Sequence, residues 1–284
     1  MPNIACGKPV GAGGVGAVDV VALIGIGLLT GATTVLFGFG GGFVTVPVVV
    51  WADAALGADA MQVATATSAL VMVVNAGFAT AVTPRRVLLA LRGSGTLLLL
   101  LAAGASAGAL ATRLAPADVA RWGFVAYVAL TIADVLLRPG FLHPGSRIEA
   151  TSDAPRPLPT VLGAPAGAVA AFLGVGGSVM TVPAMRRAGH TMSVATALAN
   201  PLTLAIALPA TAVSLGGAAV PAAADAHLQL VGLIDLRAAS ALLLGALPVI
   251  AILRRRPPRI PDRTYAWAYI GLLVVVTVAM LLSA

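Results

Sequence analysis

Six stretches of almost uncharged apolar residues, near 61–82, 94–113, 117–137, 192–216, 230–253 and 264–283, each approach the roughly 20 residues that a helix needs to cross a bilayer. Nothing else in the sequence limits the fold as severely, because a bilayer core admits only helices and closed barrels. The composition agrees: 59% of residues are hydrophobic, 10% are charged and the mean hydropathy is +1.01, far outside the range of soluble globular chains. Two further apolar stretches, 17–52 and 158–185, are each interrupted by a glycine cluster.

Those two interruptions are copies of one another. Gly38-Phe-Gly-Gly-Gly-Phe-Val-Thr-Val-Pro47 matches Gly174-Val-Gly-Gly-Ser-Val-Met-Thr-Val-Pro183, and downstream Met61-Gln-Val-Ala-Thr-Ala66 matches Met192-Ser-Val-Ala-Thr-Ala197. Two elements recurring in the same order define an internal repeat. The reading is repeat 1 over residues 1–145, with its glycine motif at 38–47, and repeat 2 over 146–284, with its motif at 174–183. A cytoplasmic linker joins them over about 138–157.

The basic residues give the orientation, since Lys and Arg accumulate in short cytoplasmic loops. If all eight apolar stretches cross, the charges divide eight against nine, with no bias. If each glycine-broken stretch returns to the side it left, one side holds Arg85, Arg86, Arg92, Arg138, Arg147, Arg156, Arg186, Arg187, Arg254, Arg255, Arg256, Arg259 and Arg263. Only Lys8, Arg113, Arg121 and Arg237 lie opposite, a division of thirteen against four. The expected fold is therefore an all-α membrane protein of two inverted repeats, each a glycine-broken re-entrant or discontinuous helix plus three transmembrane helices, with both termini outside. Residues 17–37 are long enough to cross by themselves, which keeps the eight-span alternative open. Tyr265, Trp267, Tyr269, Trp51 and Trp122 fall near span boundaries, as interfacial anchors do. The first thirty residues lack a signal-peptide cleavage pattern, so the N-terminus is expected to be retained.

Non-helical backbone at membrane depth survives only when it is buried in protein or lines a cavity, so the glycine clusters are candidate sites. A half-helix starting near Phe43 or Val179 presents free N–H groups and a positive dipole end, which suits an anion. The candidate substrate-binding residues are Gly40, Gly41, Gly42 and Thr45 in the first motif, Gly176, Gly177, Ser178 and Thr181 in the second, and Thr65, Thr196 and Asn200 in the helices that follow. Close helix packing by small residues and ordinary interhelical hydrogen bonding are the competing readings. Asp134 has Arg138 four residues on, the spacing of a helix-surface ion pair. His190 and His227 lie in loops, where they can sense protons or simply be solvated. No carboxylate or histidine chain is visible within a span, so proton and sodium both stand as coupling ions.

Other chemistries fail on context. A net charge of +7 raises nucleic acid as a partner in a soluble protein, but here topology accounts for the arginines. Cys6 is the only cysteine, so neither an intramolecular disulfide nor a thiolate metal cluster is encoded. Gly11-Ala-Gly-Gly-Val-Gly16 spells a dinucleotide fingerprint without a preceding strand. Gly104-Ala-Ser-Ala-Gly108 spells a nucleophile elbow, and an intramembrane serine hydrolase would need a base that no span supplies; helix packing is the simpler use. No metal cluster or Walker loop is present, and no cofactor is expected. The sequence is silent on oligomeric state.

The duplicated Gly-x-Gly-Gly-(Gly/Ser)-x-x-x-Val-Pro, each followed by a small-residue, Thr-rich helix, resembles the TauE/SafE family of sulfite and organosulfonate exporters, also called the toluene-sulfonate uptake permease family. The resemblance covers nearly the whole chain and rests on the pairing of the motifs. It implies a multi-pass transporter in a bacterial-type inner membrane, with a small sulfur-containing anion as substrate and membrane lipids as surroundings. An anion channel of the same architecture is the alternative. The first half carries Thr67-Ser68 where the second has Leu198-Ala199 followed by Asn200-Pro201, which implies two half-sites of unequal strength.

Overall fold

The computed structural model describes residues 15–138, 141, 160–216, 230–256, 258 and 260–282. These form helices α1 (Val15–Phe37), α2 (Gly42–Ala52), α3 (Ala60–Ala81), the single turn α4 (Arg85–Leu88), α5 (Gly95–Leu114), α6 (Ala117–Leu137), α7 (Gly163–Leu173), α8 (Ser178–Arg187), α9 (Met192–Leu215), α10 (Leu236–Arg255) and α11 (Asp262–Leu282). One short antiparallel ribbon, β1 (Leu230–Val231) with β2 (Ile234–Asp235), precedes α10. Seven helices (α1, α3, α5, α6, α9, α10 and α11) are long and apolar enough to cross a membrane. The chain is an all-α membrane protein.

The six uninterrupted stretches each contain one long helix. The stretch at 230–253 is trimmed: residues 230–235 form the ribbon, turning at Gly232 with φ of 62°. Asp235 then caps α10, its Oδ1 accepting from the N–H of Arg237 at 2.8 Å and of Ala238 at 3.2 Å. A carboxylate there satisfies two of the orphan donors of a helix N-terminus.

Contacts between helices fix their directions. Let end A be the end of the bundle where α3 begins and end B the end where it finishes. Gly27 meets Leu242, Gly31 meets Ala246, and Val35 clusters with Ala79 and Ile250, so α1 and α10 run parallel from A to B. At Gly38 the chain turns; Gly42 then lies against Met72, mid-way along α3, and α2 runs back to end A to join α3. The second glycine-broken segment starts from the other end of the bundle. Gly167 meets Leu101 and Gly108 meets Ala168, so α7 runs parallel to α5 from B to A. The chain turns at Gly174, and α8 returns to end B, where Arg187 pairs with Asp134 at the end of α6. Helix α9 then descends to end A, where Arg113 of α5 holds its last carbonyls, α10 rises and α11 descends. Both glycine-broken segments therefore double back to the end they came from. Helix α1 nearly traverses the bundle (about 35 Å for 23 residues), whereas α7 has 11 residues.

The small residues serve the packing expected of them. A Cβ on Gly104 or Gly108 would run into the α7 backbone, and one on Gly27, Gly31 or Gly245 into the α1–α10 contact. Ser106, between the first pair, spends its hydroxyl on the Ala102 carbonyl of its own helix at 3.1 Å. Trp51, Trp122 and Trp267 face outward, as anchors should. Tyr265 and Tyr269 do not: both are buried, because their rings pack with Phe37, and Tyr269 also with Phe39 and Phe141. Asp134 makes the expected ion pair with Arg138 at 3.1 Å and a second with Arg187 at 2.6 Å. Several arginines counted as loop charges lie in terminal helical turns instead. Arg186 is fully buried and clamps end B, pairing with Asp262 at 2.7 Å and donating to the Phe141 carbonyl at 2.8 Å. His190 is in a loop, where burial lowers its pKa below the ordinary value. His227, Cys6 and Gly11 to Gly14 lie outside the described residues.

The doubling back has a direct check. In a Cys6→Ser background, single cysteines at Ala52 and Ala188 should react with an impermeant maleimide from opposite sides of sealed vesicles. Reaction of both from one side contradicts the hairpins, since eight full crossings place these positions together.

Candidate functional site

Each hairpin turns where glycine lets the backbone enter the left-handed region. Gly38, Gly40 and Gly41 have φ of 74°, 63° and 88°, and Gly174 and Gly176 have 68° and 72°; such values strain any residue with a Cβ. The match breaks at Gly177, whose φ of −79° is ordinary helical backbone. Helix α7 ends in a Schellman motif, the Val175 N–H reaching the Ala170 carbonyl at 3.1 Å. Helix α1 ends with the Gly38 N–H on the Thr34 carbonyl at 3.1 Å.

The two turns meet. Gly40 and Gly176 both lie against Met72 of α3 and Thr203 of α9, residues near the middle of the two longest central helices. A Cβ on Gly42 would come within 2.9 Å of the Gly174 carbonyl, and one on Gly176 within 3.3 Å of the Phe39 carbonyl. Carbonyls freed by the breaks are approached crosswise: the Ser68 hydroxyl of α3 shares its proton between Thr65 O of its own helix at 2.8 Å and Gly174 O at 3.1 Å, and Thr203 of α9 donates to Gly38 O at 3.4 Å. Pro183 cannot donate to the Val179 carbonyl one turn back, and Tyr269 Oη points there at 3.4 Å. Phe39 seals the junction, stacked on Phe43 at 4.8 Å and on Tyr269 at 5.3 Å.

What the carbonyls gain, the donors lack. The first N–H groups of α2 and of α8 have no acceptor within their helices, and the positive ends of both dipoles point at the junction. Asn75 is 0% exposed, its amide lies against Gly41, and neither its Oδ1 nor its Nδ2 has a partner. Asn200, also fully buried, donates Nδ2 to the Thr196 carbonyl at 3.2 Å and leaves Oδ1 unpartnered. The hydroxyls of Ser178 and Thr181 are likewise buried and unpartnered. A buried polar group without a partner costs about 1–3 kcal/mol, so the unpartnered amide of Asn75 and hydroxyl of Ser178 make the junction the candidate site.

The eleven candidate residues thus divide. Gly40, Gly41, Gly42, Gly176, Gly177 and Ser178 form the junction, and Asn200 faces the same core. Thr45, Thr65 and Thr196 give their hydroxyl protons to their own helices, at Gly41 O (2.9 Å), Met61 O (2.8 Å) and Ser193 O (3.2 Å). Thr181 opens instead toward a cleft of about 420 Å³ among α5, α6, α7 and α8, which extends to Asp134 and Arg187 at end B.

A model of the family described as Sulfite exporter TauE/SafE matches residues 23–280. The chain belongs to the TauE/SafE family. It is accordingly a multi-pass membrane protein of a transporter family, and the match takes in both glycine motifs. No curated protein and no solved structure matches it.

Three residues escaped selection in the sequence. Asn75 stands among the polar residues after the first motif, but nothing in its spelling separates it from its neighbours; its orphaned amide is a property of packing. Arg113 and Arg254 counted only as topological charges. They follow Gly104 and Gly245 at the same interval, which is the signal that links them. They end α5 and α10 at opposite ends of the bundle, and each buries an unpartnered Nε. Arg113 borders a void of about 10 Å³ beside Thr65, and Arg254 lies near Tyr265.

Asn75→Leu preserves volume and removes the orphaned amide. We expect it to leave the thermal midpoint of the empty protein unchanged or raised, and to weaken sulfite binding by at least about tenfold, the worth of one hydrogen bond to a charged group. A lowered midpoint with unchanged binding would assign Asn75 to the scaffold alone.

Proposed function

We propose that this TauE/SafE member is a secondary transporter that exports a small sulfur-containing oxyanion, sulfite or an organosulfonate, by alternating access around the glycine junction. The observation that carries the reading is the meeting of two matched glycine turns beside orphaned donors. The anion sits between the N-termini of α2 and α8 and accepts hydrogen bonds from backbone N–H groups, from Ser178 and from the amide of Asn75. Glycine at Gly41 and Gly177 keeps Cβ atoms out of the way of the guest. Unequal donors, Asn75 on one side and Ser178 on the other, grip an asymmetric anion in one orientation.

The halves act as inverted repeats. Among the described arginines, Arg85, Arg86, Arg92, Arg138, Arg186, Arg187, Arg254, Arg255, Arg256 and Arg263 lie at end B, and Arg113, Arg121 and Arg237 at end A. End B is then cytoplasmic by the positive-inside rule. One half rocking against the other exposes the junction first toward the cleft at end B and then toward end A. A sealed junction favours this over the channel alternative, because a channel needs a continuous wet path. The apolar stack at Phe39 interrupts any such path.

In proteoliposomes, labelled sulfite should accumulate against its gradient when an ion gradient is imposed. Gly41→Leu, which places a side chain at φ of 88° against Asn75, should abolish that uptake, while Gly271→Leu, in open space, should retain it. Uptake that only equilibrates identifies a channel, and full activity in Gly41→Leu removes the junction as the site.

A further inference from the structure

Two carboxylates, Asp53 and Asp235, are each buried at end A. Asp53 directly follows α2, the return arm of the first hairpin, and is 6% exposed. Its Oδ2 is buried without a hydrogen-bond partner, and no ion pair reaches it among the described residues. Asp235, 3% exposed, is the cap of α10, and its own N–H donates to Thr67 Oγ1 of α3 at 2.9 Å. The two are close enough for the charge of Asp235 to act on Asp53.

Burial raises both carboxyls above the ordinary aspartate range, but only Asp235 has groups that oppose the rise: the N–H groups of Ala238 and Arg237 and the charge of Arg237, two residues on, favour its ionised form. Asp53 has no such support. The other charged groups at this end are Asp59, closing the short 3-10 helix after Asp53, Arg113, whose Nη2 is committed to carbonyls of α9, and Asp118 and Arg121 at the start of α6. Burial first, and the negative charge of Asp235 second, push the Asp53 carboxyl from 3.8 up to about 7. Asp53 is therefore neutral below that range and charged above it.

We propose that Asp53, buried and unpartnered with Asp235 at the same end, is a proton-binding carboxylate on the outer side of the bundle, through which proton movement drives transport. The proposal rests on the transporter reading above for its purpose, but the proton site stands on its own geometry. Asp53 belongs to the arm whose other end is the glycine junction, and Asp235 belongs to α10 against α3. A proton taken from water onto a carboxylate oxygen of Asp53 lets arm and body stay together. Its return to water leaves a buried carboxylate oxygen charged and without a partner, which favours a movement of the arm that hydrates Asp53 and so opens end A. Binding and release of one proton thus biases the hairpin that carries half of the anion site.

Infrared spectroscopy of the purified full chain tests the proton site without any substrate. The wild type should show a protonated-carboxyl C=O band that disappears on raising the pH with a midpoint near 7. Asp53→Asn should remove the band, Asp53→Glu should restore one, and Asp235→Asn should move the midpoint down. In vesicles, sulfite accumulation driven by an imposed pH gradient should be lost in Asp53→Asn. No carboxyl titrating above the ordinary aspartate range overturns the proposal, as does a band abolished by sodium at constant pH, which makes Asp53 part of a metal-cation site. A titrating band in a wild type that carries no sulfite leaves the proton site standing and overturns the substrate reading alone.

Discussion

A helix broken inside a membrane leaves backbone donors and acceptors with no water to satisfy them, at a cost of several kcal/mol for each group. This chain breaks two helices and brings both breaks to one place. The carbonyls are approached by Ser68 and Thr203, each a hydroxyl from one half reaching the glycine turn of the other. The N–H groups at the starts of α2 and α8 are not recovered by their helices, nor is the amide of Asn75. On the proposed reading, an anion at the junction supplies what these donors lack.

The same exchange between halves organises the rest of the bundle. The first arm of each hairpin packs along a helix of the opposite half, α1 on α10 and α7 on α5, with glycines letting the backbones touch. Hairpins seated on the other half are held by surfaces that move when the halves move. Asp53 caps α2 at the base of the first hairpin, so a change of charge there acts at one end of an 11-residue arm whose other end is the junction. At the opposite end, Arg186 with Asp262 and Arg187 with Asp134 hold the base of the second hairpin by complementary charges. The two bases thus differ in chemistry, one an unpartnered buried carboxyl and the other a set of ion pairs.

Much of this was legible in the residues. Hydropathy located the long helices to within a few positions, except where Asp235 and Gly232 shorten the stretch at 230–253. The paired motifs identified the turns, and the structure adds the left-handed backbone at Gly38, Gly40, Gly174 and Gly176. Asn200, singled out beside Pro201 in a repeated element, is fully buried. What the sequence did not disclose depends on long-range packing. Whether Thr45 or Ser178 has a free hydroxyl is decided by which carbonyl lies one turn away. Tyr265 and Tyr269 read as interfacial anchors and are instead buried against Phe37. The burial of Asp53, between two apolar runs, is likewise a property of packing.

The central claim is that the anion binds between the two glycine turns. Selenite, the heavier congener of sulfite, has a selenium atom whose anomalous scattering locates it directly in a crystal of the loaded protein. The account predicts one strong selenium peak between the N-termini of α2 and α8, with its oxygens within hydrogen-bond reach of Asn75 and Ser178. A peak confined to the cleft beside Asp134 and Arg187, with none at the junction, would contradict it.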